Sequence, residues 1–471
     1  MSQKNETPVL LLSLLITLGL IGGGLWWLGN RLHWGNFASL GNSSSQPNGT
    51  TTQSIALQDR FSSGDKLLTG GGVSAEKQAA IAAMGKKNYA AAIPDLEAAL
   101  QAKRNDPEAL IYLNNARIGN KKAYTIAVSV PLATAPEPAL EILRGVAQAQ
   151  NEINQNGGIQ GVPLKVVTVS DDNDPSVVRQ VASALVQDDA VLGVVGHFGS
   201  DASLAGADIY QNGGLVMISP TSTSVEIANK GNYVFRTVPS DRFTATTLVS
   251  YLLDKVGKQN TVVYFNSGSD YSTSLKNQFT TALTTGGGQV IEEVDVSAAN
   301  FNAGQSIERA QQRGADVLVL ATNTPTLQQA LQVIQANQRQ FALVGGDSLY
   351  NPQVLQVGQA NAEGMVVAVP WIVLSHLQSP FVQASQKLWG GDVNWRTAMA
   401  YDATLALIEG LTQNPTRQGI QQTLASPDFE FTGATGTVRF LASGDRNQPM
   451  QLVQIEPGRR SGYGYDFVPM P

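Results

Sequence analysis

Two short runs in this sequence place hydroxyl-bearing and small residues where a strand pattern gives way to a helix pattern. The first is Gly196-His197-Phe198-Gly199-Ser200-Asp201-Ala202-Ser203, between an apolar strand pattern at Val191–Gly196 and a helical pattern through Leu204–Tyr210. The second is Ile218-Ser219-Pro220-Thr221-Ser222-Thr223, which follows the strand pattern Leu215–Ile218. Hydroxyls and the free N–H groups at strand ends and helix starts favour a small anion, a ligand carboxylate included. The other reading is that Ser200 and Thr223 cap helices, the ordinary role of an isolated hydroxyl residue at such a position. A third run, Gly157-Gly158-Ile159-Gln160-Gly161, has the outline of a dinucleotide loop. It follows a helix and precedes a strand, the reverse of the order such a loop needs, and its glycines read as a helix C-terminus.

Other chemistries have nothing to build on. The chain has no cysteine, which removes disulfides, thiolate metal sites, a cysteine nucleophile and a lipid-modified cysteine together. Its three histidines, His33, His197 and His376, are too few and too scattered for a histidine-built zinc site. No Gly-x-Ser-x-Gly elbow, phosphate-binding loop or metal-ligand spacing is present, so we expect neither catalysis nor a cofactor nor a metal. A net charge of −6 offers no field to a polyanion, and nucleic acid is not an expected partner.

The elements that must hold the two runs alternate. Strand Thr125–Pro131, helix Pro138–Asn154, strand Leu164–Ser170, helix Ser176–Gln187 and strand Val191–Gly196 form one series. A second begins after Asp241: helix Phe243–Val256, strand Thr261–Phe265, helix Ser272–Thr285 and strand Gln289–Asp295. It continues through helix Ile307–Arg313, strand Val317–Ala321, helix Thr326–Gln335 and strand Gln340–Gly345. Such alternation with short connections implies parallel sheets covered by helices on both faces. Two series imply an α/β body of two similar Rossmann-like lobes, in keeping with a length of 471 residues.

The N-terminal quarter reads differently. No residue from Pro8 to Leu28 is charged, and a run of about 21 residues at about 1.5 Å each matches the roughly 30 Å core of a bilayer. Trp26, Trp27 and Trp34 stand where an aromatic belt would lie, so a transmembrane signal anchor is expected over 8–28. Residues 29–72, rich in Gly, Ser, Asn and Thr, read as a flexible linker, within which the patch Ile55–Leu68 could dock on the body. Residues 73–120 read as three helices, Ala75–Met84, Tyr89–Ala102 and Pro107–Arg117. Gly85-Lys86-Lys87-Asn88-Tyr89, Ala92-Ile93, Leu96-Glu97, Leu100 and Asp106-Pro107-Glu108-Ala109 resemble a tetratricopeptide (TPR) repeat plus the first helix of another. So short a piece is expected to pack on the domain that follows, as a spacer or as a partner-binding groove.

From Ala123 to Ile455 the sequence resembles the type I periplasmic binding proteins for leucine, isoleucine, valine and related amino acids. The resemblance is carried by Asn154-x-x-Gly157-Gly158-Ile159-x-Gly161, Asp171-Asp172-x-Asp174-Pro175, Gly196-His197-x-x-Ser200 and Met217-Ile218-Ser219-Pro220. Phe235-Arg236-Thr237-Val238-Pro239-Ser240-Asp241, Gly345-Gly346-Asp347, Ala362-Glu363-Gly364-Met365, Ala400-Tyr401-Asp402-Ala403 and Thr435-Gly436-x-Val438-x-Phe440 follow in order. It implies a periplasmic-binding-protein-like domain over 121–471 whose two lobes are joined by three crossover strands. Lobe 1 would comprise about 121–239 and 368–440, and lobe 2 about 240–367 and 441–471. It further implies that Ser200, Thr221, Ser222 and Thr223 bind an α-carboxylate, while Tyr271, Asn323 or Thr324, and Asp347 take up the α-ammonium side. Phe198 and Trp371 are candidate side-chain walls, the other and commoner reading being an aromatic that belongs to the core.

Some positions depart from the family pattern. Gly199 replaces a disulfide cysteine, and Asp201 replaces a small hydroxyl residue and adds negative charge near the carboxylate site. Asp347 is one methylene shorter than the usual glutamate, Asn323-Thr324 replace an aromatic pair, and Tyr271-Ser272 replace Tyr-Gly. What the resemblance implies is therefore capture of an amino acid or similar small polar solute. The expected setting is extracytoplasmic, tethered to the membrane, with the permease subunits of an ABC importer as partners. The alternative is a membrane-tethered sensor whose repeat-like helices engage a signalling partner.

Overall fold

The structure, a computed structural model, describes residues 55–470. The anchor expected at 8–28 and the linker up to residue 54 lie outside them. Among the described residues no helix is long and apolar enough to cross a membrane.

The described chain begins with a two-residue strand β1 (Phe61–Ser62) and three helices, α1 (Ala75–Gly85), α2 (Tyr89–Ala102) and α3 (Pro107–Ile118). Their starts are written in the sequence. The side chains of Ser74, Asn88 and Asp106 accept from the N–H groups of Lys77, Ala91 and Ala109, and Pro107 sits in the first turn of α3. Helix α3 is buried on almost every side, because it lies between the α1–α2 hairpin and the first helix of the body. A buried charge cluster fixes this corner. Lys77 Nζ lies 2.8 Å from Asp106 Oδ2 and 2.9 Å from Glu108 Oε2, and Glu108 Oε1 accepts from Leu68 N–H at 2.8 Å.

Residues 55–72 are therefore not a free linker, which is a correction to the sequence reading. Phe61-Ser62 pairs antiparallel with Val169-Thr168, and Arg60 Nη1 reaches Asp172 Oδ2 at 2.6 Å. The strand pairing, the Arg60–Asp172 pair and the hydrogen bonds from Leu68 and Thr69 N–H to the buried Glu108 carboxylate offset the chain entropy that the Gly/Ser-rich composition would otherwise retain.

Lobe 1 is built from β2 (Tyr124–Val130), α4 (Pro136–Gln155), β3 (Leu164–Ser170), α5 (Pro175–Gln187), β4 (Val191–Val195), α6 (Ser200–Asn212), β5 (Val216–Ser219) and β6 (Val234–Arg236). Its sheet runs β1-β3-β2-β4-β5-β6 and is parallel throughout apart from β1. Lobe 2 contains α7 (Asp241–Ser250), β7 (Asn260–Phe265), α8 (Asp270–Thr285), β8 (Gln289–Asp295) and α9 (Ala303–Gln312). It continues with β9 (Val317–Ala321), α10 (Leu327–Asn337), β10 (Ala342–Gly345), α11 (Pro352–Gly358) and β11 (Val366–Val369). The chain then returns to lobe 1 for α12 (Pro380–Trp389), α13 (Trp395–Gln413), α14 (Arg417–Leu424) and the hairpin β12 (Phe431–Gly433) and β13 (Gly436–Val438). A third crossing leads to β14 (Gln451–Pro457) and β15 (Tyr465–Pro469), which complete the second sheet in the order β15-β14-β11-β10-β9-β7-β8.

Two details hold the body in register. Helices α4 and α13 touch backbone to backbone at Gly145, where a Cβ would lie 2.3 Å from the Thr397 carbonyl oxygen. The third crossing is pinned by a buried pair: Arg446 Nη1 lies 3.3 Å from Asp402 Oδ2 and donates to Thr435 Oγ1 at 2.5 Å. Asp402 also accepts from Ala434 N–H at 2.6 Å. Burial pushes the Asp402 carboxyl up and the Arg446 guanidinium down, and each partner pulls the other back toward its charged form.

Candidate functional site

A cleft between the two lobes is lined by residues of both. Most of its lining comes from the residues just after the C-terminal ends of parallel strands: β3, β4 and β5 on one side, β7, β9 and β10 on the other. This is where open α/β sheets place ligands, because loops and helix N-termini meet there with unpaired donors.

On the lobe 1 side, Ser200 opens α6 and its Oγ accepts from Ser224 N–H at 3.2 Å. Thr221 Oγ1 donates to the Phe198 carbonyl at 2.7 Å, which ties the two hydroxyl-bearing runs together. Both residues border the cleft, as does the expected wall Phe198. Gly199 N–H donates to Asn173 Oδ1 at 2.9 Å, and a Cβ at position 199 would lie 2.4 Å from that oxygen. Any side chain at 199 would displace the Asn173 amide from this position. Ser222 and Thr223 stand behind this surface and do not border the cleft. Ser222 Oγ lies 2.7 Å from Ser203 Oγ, and the carbonyl of Thr223 accepts from Asp241 N–H at 2.8 Å. The buried Arg236 holds the same loop from behind through the Ser222 and Ser224 carbonyls at 3.2 and 2.7 Å.

On the lobe 2 side, Tyr271 lies in the first turn of α8, whose start is capped by Ser269. Its hydroxyl donates to Asp347 Oδ1 at 2.8 Å, and a Cβ on Gly346 would lie 2.6 Å from that hydroxyl. Asp347 is 3 % exposed. Burial pushes its carboxyl up, while Arg396 and the Tyr271 hydrogen bond pull it back. Burial and the Asp347 charge hold the Tyr271 phenol well above its ordinary range, so it stays a neutral donor. Asn323 and Thr324 border the cleft after β9, and Asn323 Oδ1 is already engaged by Asn266 at 3.1 Å and Thr326 at 2.7 Å.

The structure gives Asp201 a task that its charge alone did not suggest. Its carboxylate accepts from Asp270 N–H at 2.8 Å and from Ser269 Oγ at 3.2 Å, across the cleft. It thus sits in the first turn of one helix and against the first turn of another, both favourable places for an anion. Trp371 is no wall of the cleft. It is 1 % exposed, stacks on His376 and meets Phe381 edge-on, as part of the core. His197 is equally buried, with Nδ1 2.6 Å from Asp171 Oδ2 and Nε2 3.1 Å from the Tyr210 hydroxyl.

Sequence reasoning missed Asn173, Trp395 and Arg396, all of which border the cleft. The last two open α13, where Asn394 Oδ1 accepts from Arg396 N–H at 2.8 Å. The available signal was a single arginine beside a cap residue in an otherwise uncharged, mostly apolar stretch.

The family model described as periplasmic binding protein matches residues 123–461. The leucine-specific-binding protein of Salmonella typhimurium is 28 % identical over 227 residues, 48 % of this chain and 61 % of that protein. The chain thus aligns with less than two thirds of that relative's length. The Leu/Ile/Val-binding protein of Escherichia coli is 26 % identical over 251 residues, 53 % of this chain and 67 % of that protein. Among solved structures, an ABC transporter substrate-binding protein from Desulfitobacterium hafniense in complex with Leu is similar with a TM-score of 0.63 at 25 % identity, over 74 % of this chain and all of that one.

Proposed function

This chain belongs to the periplasmic binding protein family, and from that footing we propose that it captures an amino acid or a similar zwitterion between its lobes for an ABC importer. The observation that carries the reading is the pairing of opposite chemistries across one cleft. A buried carboxylate, Asp347, with its neutral donor Tyr271, borders the same cleft as Ser200, whose hydroxyl opens α6, and Thr221, whose hydroxyl is tied to the Phe198 carbonyl. An ammonium satisfies the first group and a carboxylate the second, and both contacts strengthen once closure excludes water. Ser222 and Thr223 act behind this surface by shaping the loop that presents Thr221. The amino-acid ligands named for the relatives support the same assignment, and the family description, periplasmic binding protein, supports an extracytoplasmic setting.

The proposal keeps an N-terminal anchor at 8–28, resting on the uncharged apolar run alone. Burial of α3 against lobe 1 favours the three N-terminal helices as an extension of that lobe over a groove for a signalling partner.

The test is Asp347→Asn, which keeps the shape and removes the charge. Thermal stabilisation by every amino acid that stabilises the parent chain should disappear or weaken by roughly tenfold to a hundredfold in affinity, the range of one charge-assisted hydrogen bond. An unchanged response would remove Asp347 from the ammonium site and the zwitterion reading with it.

A further inference from the structure

The substrate class of this cleft can be narrowed, on the footing of the zwitterion reading just given. Arg396 borders the cleft and is 3 % exposed. Its Nε has no hydrogen-bond partner, and Nη1 reaches only the Tyr350 carbonyl, at 3.3 Å. No carboxylate pairs with it among the described residues. Asp347 and Glu137 feel its charge without meeting it. It is also the second residue of α13, the end of a helix that repels a cation. Beside it Trp395, 1 % exposed, leaves its indole N–H without an acceptor, and the guanidinium lies over that ring at 4.3 Å.

A buried cation at the wrong helix end, next to an unsatisfied donor, is an unfavourable arrangement unless something anionic arrives. Both donors are already shut off from water, and an aliphatic ligand side chain would leave them unpaired. A carboxylate would satisfy them together, and the guanidinium fork is the shape that accepts it. The carboxylate of Asp201 also lines the cleft, but it is turned to Ser269 and Asp270 of the opposite lobe.

We propose that Arg396 and Trp395 form a subsite for a second carboxylate on the ligand, so that this protein takes an acidic amino acid in preference to an aliphatic one.

The experiment measures thermal stabilisation and calorimetric affinity of the full-length chain with L-glutamate, L-aspartate, L-glutamine and L-leucine. Parent, Arg396→Met and Arg396→Lys are compared after their ligand-free melting curves confirm folding. The parent should rank an acidic amino acid first. Arg396→Met should lose roughly tenfold to a hundredfold in affinity for it, with little loss for leucine, and Arg396→Lys should keep part of the preference. Leucine or glutamine matching the acidic ligands in the parent overturns the proposal, and so does an acidic preference that survives Arg396→Met. Should Arg396→Met fail to fold, the parent ranking and Arg396→Lys decide alone. A panel that stabilises nothing also overturns it.

Glutarate and succinate, which lack an ammonium, separate this subsite from the zwitterion reading. Binding of these acids that needs Arg396 and ignores Asp347 keeps the subsite and discards the ammonium site. Amino-acid binding that needs Asp347 and ignores Arg396 does the opposite.

Discussion

Asp241 provides the sharpest energetic test of the fold behind the cleft. It is fully buried, at 0 % exposure, in the first turn of α7, and neither carboxylate oxygen has a hydrogen-bond partner. Burial pushes its carboxyl from an ordinary 3.8 to about 7; the nearby hydroxyls of Ser274 and Thr223 and the charge of Arg236 pull it down, and the Asp347 charge pushes it further up. Those two hydroxyls face it without reaching hydrogen-bond geometry. The sign follows from proton counts. Between pH 4 and 7 the folded chain keeps a proton that the unfolded chain has released, so stability falls as pH rises through this window. The distance of about three pH units, at 1.36 kcal/mol each, sets the loss at ~4 kcal/mol by pH 8. Asp241→Asn keeps the shape and cannot ionise. Urea unfolding of parent and variant from pH 4 to 8 should therefore give curves that diverge, with the variant gaining up to ~4 kcal/mol over the parent toward pH 8. Asp295 does not interfere. Hydrogen bonds from Ser267 and Ser297 outweigh its burial and hold it at about 2, so its stabilising contribution is lost only as pH falls from about 4 to 2. Parallel curves for the two proteins would refute the reasoning.

Two further perturbations probe the scaffold. Lys77→Met would leave Asp106 and Glu108 without their buried cation, at a cost of about 3–5 kcal/mol. Limited proteolysis should then cut near residues 62–72 while the two lobes remain protected. Gly145→Ala would place a methyl group 2.3 Å from the Thr397 carbonyl oxygen and force α4 from α13, lowering stability by about 1–3 kcal/mol. A melting temperature equal to the parent's would show that this helix contact is looser than described.

The parts of the fold that were legible in the sequence are those with local punctuation. Helix α2 (Tyr89–Ala102) and β3 (Leu164–Ser170) have the bounds that the sequence pattern predicts, because Asn88 caps the first and Pro163 and Asp171 bracket the second. Helix α13 went unread because it is buried along most of its circumference and has no polar face to set a period. Its absence from the reading hid Trp395 and Arg396. Where β1 docks was illegible for another reason: two residues of strand gain their partner from a sheet edge about a hundred positions away. Ser222, Thr223 and Trp371 mark the limit of motif reasoning. A motif says which loop faces the cleft, whereas packing decides which side chains of that loop turn inward.

The bridge from Asp201 to the start of α8 has a consequence for how the protein waits for its ligand. A receptor whose closed form is rare surrenders affinity in proportion to that rarity, because its apparent dissociation constant is the intrinsic one divided by the competent fraction. Asp201 gives the two lobes a contact across the cleft that needs no ligand, and any such contact raises the share of molecules whose lobes are already together. The same contact blurs the difference between empty and loaded states that a downstream partner must read. In this chain, discrimination between them therefore falls to groups that only a ligand can satisfy.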